Sequence, residues 1–420
     1  MKSFFGAFLF IFLLTFPSLA ISQMKIKVNV ENQNEVLYLV KYKSDKTHIV
    51  IDTSYSNVFT NSEKIPEGIY VISDNKQQPL FEILIGKDQK FSVIVDDLMD
   101  LNSYKVKGCK ETSSYFDVYT KTIHNDLYIK ALENEIKYNP NNKAKIDSLE
   151  KSLYEYQESM LSKDNNSFLN TYIKSIEKVI VPQDIEHIEK YIIEHYFDNI
   201  PLCDSRILNS RLLKNKLDYF FNNYMRLQSP IYISEQIDNL ISKTNDCHKV
   251  RDYILWYLYS RFFNTDNTDD EFIYIHLVDN YFSKLDIENL SQNIRSEIVK
   301  RADILRNITI GHSVPTLLII DDQGNEINLD GLKSEYTVLF FYKPDCQRCI
   351  RDKRILGLVE KRRKDLKVIK IDITDEDKYS EIINTYNISN TPEIYIIDKD
   401  KKIIAKGVSA DKIEFYTTKK

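Results

Sequence analysis

Five cysteines occur in 420 residues, and only Cys346 and Cys349 lie close together, in the stretch FFYKPDCQRCIRDK. The run TVLFFYKP over 337–344 reads as a buried strand that ends at Pro344, and a helical segment to about 363 follows. Cys346 therefore falls at a strand-to-helix junction. There a sulfur meets backbone N–H groups without intrahelical partners and the positive end of the helix dipole, and both favour thiolate over thiol. Arg348 and Arg351 add positive charge. With two residues between them, the sulfurs can close a disulfide across the first helical turn. Cys346 would be the exposed attacking thiolate and Cys349 the more buried resolving thiol, because attack needs access.

Two blander readings of the pair stay open at this point. Structural zinc needs four ligands, and the only other adjacent candidate, Cys247-His248, is about a hundred residues away, so this single CxxC lacks a second ligand pair. A purely structural disulfide fits poorly with an exposed, activated position, which makes such a bond labile. Thr391-Pro392 strengthens the redox reading. It lies directly before the strand-like EIYIID, where a proline that cannot donate to a ladder is tolerated and where a cis bond in a tight turn fits. His187 and His195 lack the H-E-x-x-H pattern, and Asp375-Glu376-Asp377 reads as a solvated helix cap. No phosphate-cradling P-loop and no G-x-S-x-G occur. No metal and no cofactor is expected.

The elements around the pair have an α/β order. LLIIDD and the turn Gln323-Gly324-Asn325 precede TVLFFYKP. A helix, the strand LKVIKIDI (366–373), a second helix near 376–386 and the hairpin EIYIIDKDKKIIAKG then follow, which predicts a partly parallel sheet over 312–420. Upstream, 24–108 holds six or seven short alternating or β-branched runs, expected to form an all-β sandwich-like domain. Residues 110–305 change to long amphipathic segments. Ile146, Leu149, Leu153, Tyr156 and Met160 form an a/d seam, and Ile129, Leu132 and Ile136 repeat the spacing before the breaker Asn139-Pro140-Asn141-Asn142. This predicts a helical hairpin packed on itself or on a second copy of the chain.

Residues 1–22 carry Lys2, an apolar run from Phe4 to Phe16 and small residues near Ala20 and Ser22, the pattern of a secretory signal peptide. No Cys follows it, so a lipoprotein anchor is not expected, and the run is short for a membrane span of about 20 residues. The full chain has 57 basic against 62 acidic side chains, with no basic footprint for nucleic acid.

PDCQRC after a buried strand, with NTPEIYIID later, resembles the thioredoxin fold and, within it, the exported TlpA/ResA-like thiol–disulfide oxidoreductases. The resemblance covers roughly 312–420, and the β and helical regions are similar to accessory regions found ahead of such domains. It implies Cys346 as nucleophile, Cys349 as resolving cysteine and Pro392 as the cis-proline beside the disulfide. Thr391 would pair its backbone with a bound substrate strand. Asp352 stands where relatives often have Glu, an acid able to relay a proton. Asp345 replaces a frequent Trp before the nucleophile, and no Pro follows Asp352 in the helix. Asp345 opposes the support that Arg348 gives the thiolate. The expectation is an exported, periplasmic oxidoreductase acting on protein thiols and disulfides. Reduction is the preferred direction over oxidation or isomerisation, and a membrane thiol reductase is the implied donor. The alternative is a non-enzymatic periplasmic binding protein with a thioredoxin-like scaffold.

Overall fold

The computed structural model describes residues 23–31, 36–42, 48–161, 163–263, 268–315 and 317–418, so the signal segment expected over 1–22 lies outside the described residues. The chain divides into two compact units, 1–222 and 223–420.

In the first unit, strand Met24–Val30 buries Met24, Ile26 and Val28 and exposes Lys25 and Lys27, the period-two pattern of a sheet with one covered face. It pairs in parallel with Lys90–Val95 and antiparallel with Val58–Asn61, and Tyr104–Lys107 completes a four-stranded sheet. A second four-stranded sheet runs in the order His48–Ser54, Leu37–Tyr42, Gly68–Ser73, Pro79–Ile85. Ile26, Phe59 and Val93 of the first sheet share one core with Leu39, Ile72 and Ile83 of the second. Val58–Asn61 and Tyr104–Lys107 were not among the strand-like runs of the sequence. At four residues each they are too short to show a period of their own.

Helices Lys110–Glu135 and Asn142–Met160 form the hairpin, and Ile129, Leu132, Ile146 and Leu149 pack together between them. Tyr156 and Met160, further along the same seam, pack instead against the β core. The helical region read as one block over 110–305 is divided between the two units, because amphipathic spacing shows that a face is buried but not in which core.

The second unit begins with helices Pro230–Ser242, His248–Phe262, Thr268–Leu277 and Gln292–Asn307. A four-stranded sheet follows, ordered Leu366–Asp372, Tyr336–Tyr342, Glu393–Asp398, Ile403–Lys406. Tyr336–Tyr342 is parallel to Leu366–Asp372 and antiparallel to Glu393–Asp398. The LLIIDD run gives only the two-residue strand Ile319–Ile320, because the Asp321 carboxylate accepts from the N–H groups of Gln323 and Asn325 and turns the chain. The helix expected near 376–386 is Ser380–Thr385, with Asp375 accepting from Lys378 N–H ahead of it.

Candidate active site

The central strand Tyr336–Tyr342 is held on both sides, and Val338, Leu339, Phe340 and Phe341 are fully buried. It therefore delivers its C-terminal end to one place, and that end carries the CxxC. Cys346 is the N-cap of helix Gln347–Arg362, and its sulfur accepts the Cys349 N–H at 3.2 Å. Cys346 and Cys349 are joined in a disulfide with Cα atoms 5.1 Å apart. Cys346 is half-buried, whereas Cys349 is 1% exposed and packs with Phe340, Tyr342 and Leu356. Access thus differs between the two sulfurs.

The Thr391–Pro392 peptide bond is cis, and the Thr391 carbonyl oxygen lies 3.5 Å from the Cys346 sulfur. Residues 45 positions apart are brought together because the strand Glu393–Asp398, which starts just after Pro392, pairs with Tyr336–Tyr342. Asp352, one helical turn beyond Cys349, is completely buried. Its Oδ1 accepts from Arg351 Nε at 2.9 Å, while Oδ2 is buried with no hydrogen-bond partner. Positions three apart share a helix face, so the Asp352 carboxyl is on the Cys349 side of the helix. Arg348 and Asp345 are exposed.

A group that the sequence reading missed borders the pair. Lys353 Nζ lies 2.6 Å from Tyr342 Oη and 2.9 Å from Asp322 Oδ2, and sits 4.1 Å from the Tyr342 ring centre. Burial pushes the Tyr342 phenol up, the Lys353 bond pulls it down and Asp322 raises it, with a net upward shift. A cavity of about 390 Å³ here is lined by Tyr342, Lys343, Pro344, Cys349, Ile350, Lys353 and Arg354. Lys353 is four residues after Cys349, which could have flagged it. Asp322 lies 31 positions earlier, with no sequence signal of its own. His195 pairs with Asp198 at 2.6 Å, and no group of three potential metal ligands occurs among the described residues.

The sequence family described as TraF, F plasmid transfer operon protein, is matched by residues 302–414. Thiol-disulfide oxidoreductase ResA of Bacillus cereus is 24% identical over 134 residues, which are 26% of this chain and 78% of that protein. A thioredoxin-like protein from Bacteroides caccae is 20% identical, covering 57% of this chain and 96% of that one with a TM-score of 0.45. The thioredoxin domain of a thiol-disulfide oxidoreductase from Bacteroides vulgatus is 18% identical, covering 26% and 99% with a TM-score of 0.23.

Proposed function

We propose, from a C-terminal segment that belongs to the thioredoxin-like family and an enzyme of the thiol–disulfide oxidoreductase class, that Cys346 and Cys349 are the redox centre of an exported reductase of protein disulfides. The observation that carries this reading is the half-buried Cys346 sulfur, at a helix N-cap, 3.5 Å from the Thr391 carbonyl and bonded to the buried Cys349. In the reduced enzyme the Cys346 thiolate attacks one sulfur of a substrate disulfide. The substrate S–S bond breaks, a mixed disulfide forms, and the departing substrate thiolate takes a proton. Cys349, deprotonated, then attacks Cys346 Sγ. The second substrate thiolate leaves, so the substrate gains two electrons and two protons and the enzyme is left as the disulfide. Asp352, buried on the Cys349 side of the helix, accepts the Cys349 proton in this step. An extended substrate strand at Thr391 holds its sulfur near Cys346. A dithiol donor, for which a membrane thiol reductase is the natural class, restores the starting state in the periplasm.

The test is a redox titration of the full chain, followed by alkylation and mass spectrometry. The expected result is a reversible Cys346–Cys349 link and reduction of insulin-type disulfides by the dithiol form. A pair that stays oxidised under strong dithiol reductant, with no exchange, overturns the reading in favour of the scaffold.

A further inference from the structure

A second cavity, about 530 Å³, opens within the second unit between two stretches of chain far apart in sequence. One wall comes from helices His248–Phe262 and Gln292–Asn307, the other from residues 383–389 ahead of the cis-proline loop. Its apolar lining includes Phe263, Ile294, Ile298 and Ile388, and Ile294 is 44% exposed. Its charged lining is Glu297 against Lys300 and Arg301, an excess of one positive charge. The Arg301 guanidinium is stacked 4.3 Å over Phe263 and donates to the Phe263 carbonyl at 2.8 Å, yet its Nε is buried without an acceptor. A buried donor left unpaired costs free energy until an acceptor arrives.

The position of this groove gives it an occupant. Ser389, on its lining, is two residues before Thr391, and two residues span at most about 7 Å. Thr391 in turn touches the Cys346 sulfur. A substrate strand that reaches Cys346 past Thr391 therefore needs only about two to four further residues to enter the groove, at about 3.3 Å per residue.

We infer that this groove binds the segment of the substrate polypeptide flanking its reactive cysteine, and that it selects an apolar side chain next to a carboxylate. The apolar side chain covers Ile294 and Phe263, and the carboxylate answers the charge of Lys300 and Arg301. The helices ahead of the α/β part thus take part in choosing the substrate. The inference rests on the exchange chemistry proposed above.

The experiment uses the full chain and two peptide disulfides of equal length, one with Leu and Glu flanking its cysteine and one with Gly and Ser. The first should be reduced with a kcat/KM at least tenfold higher, mostly through KM. The Ile294→Ser/Lys300→Glu variant, altered at two exposed positions, should bring the ratio below threefold. Its rate on 2-hydroxyethyl disulfide, too small to fill the groove, should stay within twofold. Calorimetry with the Leu/Glu peptide carrying Ser for Cys reads the groove without redox chemistry, and the same variant should weaken that binding about tenfold. Equal kcat/KM for the two peptides, or an unchanged preference in the variant, overturns the inference while leaving exchange intact. Loss of a self-associated form in the variant, with no peptide binding by the parent, also overturns it and gives the groove to a second copy. No turnover of 2-hydroxyethyl disulfide by the parent is instead the failure of the exchange reading.

Discussion

Each unit of the protein places a cysteine at the N-cap of a helix that follows a strand. Cys109 caps Lys110–Glu135 in the first unit and Cys346 caps Gln347–Arg362 in the second. Both therefore sit at the positive end of a helix dipole, but only the Cys346 sulfur accepts a first-turn N–H, and Cys109 makes no side-chain cap bond. The third residue on differs: Thr112 in one, Cys349 in the other. Thr112 Oγ1 lies 3.3 Å from the Cys109 sulfur and 2.9 Å from the Leu84 carbonyl, and Cys109 is 4% exposed in the β core with a free thiol. Cys346 is half-buried, faces the Thr391 carbonyl and is bonded to its partner. A helix N-terminus is thus common to both cysteines, and what sets Cys346 apart is access and a second sulfur one turn away.

The largest test of this contrast is removal of each thiol. Cys346→Ser should lower disulfide exchange by more than about a hundredfold, since the attacking atom is gone. Cys349→Ser should accumulate mixed disulfides, visible on non-reducing gels, because nothing resolves them. Cys109→Ser should leave the rate within about twofold, its thiol being inaccessible to attack. In the reduced protein, iodoacetamide should modify Cys346 at least about tenfold faster than Cys109. Equal labelling rates would break the comparison.

How much of this was legible in the sequence depends on how far apart the cooperating residues are. The strand–turn–helix around Cys346 is local, and the apolar run before Pro344 places it directly. Pro392 was found through the strand EIYIID that follows it, and the pairing of that strand with Tyr336–Tyr342 is what brings Thr391 to the sulfur. The hairpin seam was readable at Ile129, Leu132 and Ile146, which pack on each other, but Tyr156 on the same stripe joins the β core. Periodicity marks a buried face without its partner. Asp322 beside Lys353, and Arg301 across the groove from Ser389, are juxtapositions made by the fold alone.

The units can also be compared through a buried charge in each. Lys216 in the first unit donates to the Glu177 carbonyl at 3.3 Å and sits 4.8 Å from the Tyr196 ring centre. Burial lowers its pKa to about 8, against a smaller upward pull from Glu177. The folded protein therefore holds this proton less tightly than the unfolded chain. Below about pH 8 the ammonium is charged in both states and its desolvation cost is fully present. Between about 8 and 10.5 the folded state sheds the proton and the cost fades. Lys216→Met should raise stability at pH 7 by roughly 1–3 kcal/mol in chemical denaturation, with the gain shrinking as pH rises through that window. A constant difference from pH 7 to 10 would refute the burial argument. Asp352 is the counterpart to which the proposed exchange gives a use. Asp352→Asn should slow the Cys349 step about tenfold and flatten its pH dependence in stopped-flow, because a proton acceptor is lost while the shape is kept. An unchanged pH profile would make Asp352, like Lys216, a charge without a part in the chemistry.

The smallest expected effect concerns the thiolate itself. In the Cys349→Ser background Cys346 should titrate below a free cysteine, whose reference is about 8.5. Three contributions act on it. The N–H groups of the first turn point at the sulfur, as the 3.2 Å Cys349 N–H bond shows, and they favour the anion. Arg348 favours it too and Asp345 opposes it, but both side chains are exposed, where water and salt screen charge over about 8 Å. The backbone should therefore dominate. Arg348→Ala should raise the Cys346 pKa and Asp345→Ala should lower it, each by only a few tenths of a unit, in a titration of thiolate absorbance. Raising the salt to about 1 M, where the screening length falls to about 3 Å, should erase both side-chain effects and leave most of the depression. A depression that vanishes with salt would assign the activation to surface charge, and a Cys346 that titrates like a free thiol would leave access and the second sulfur as the whole difference from Cys109.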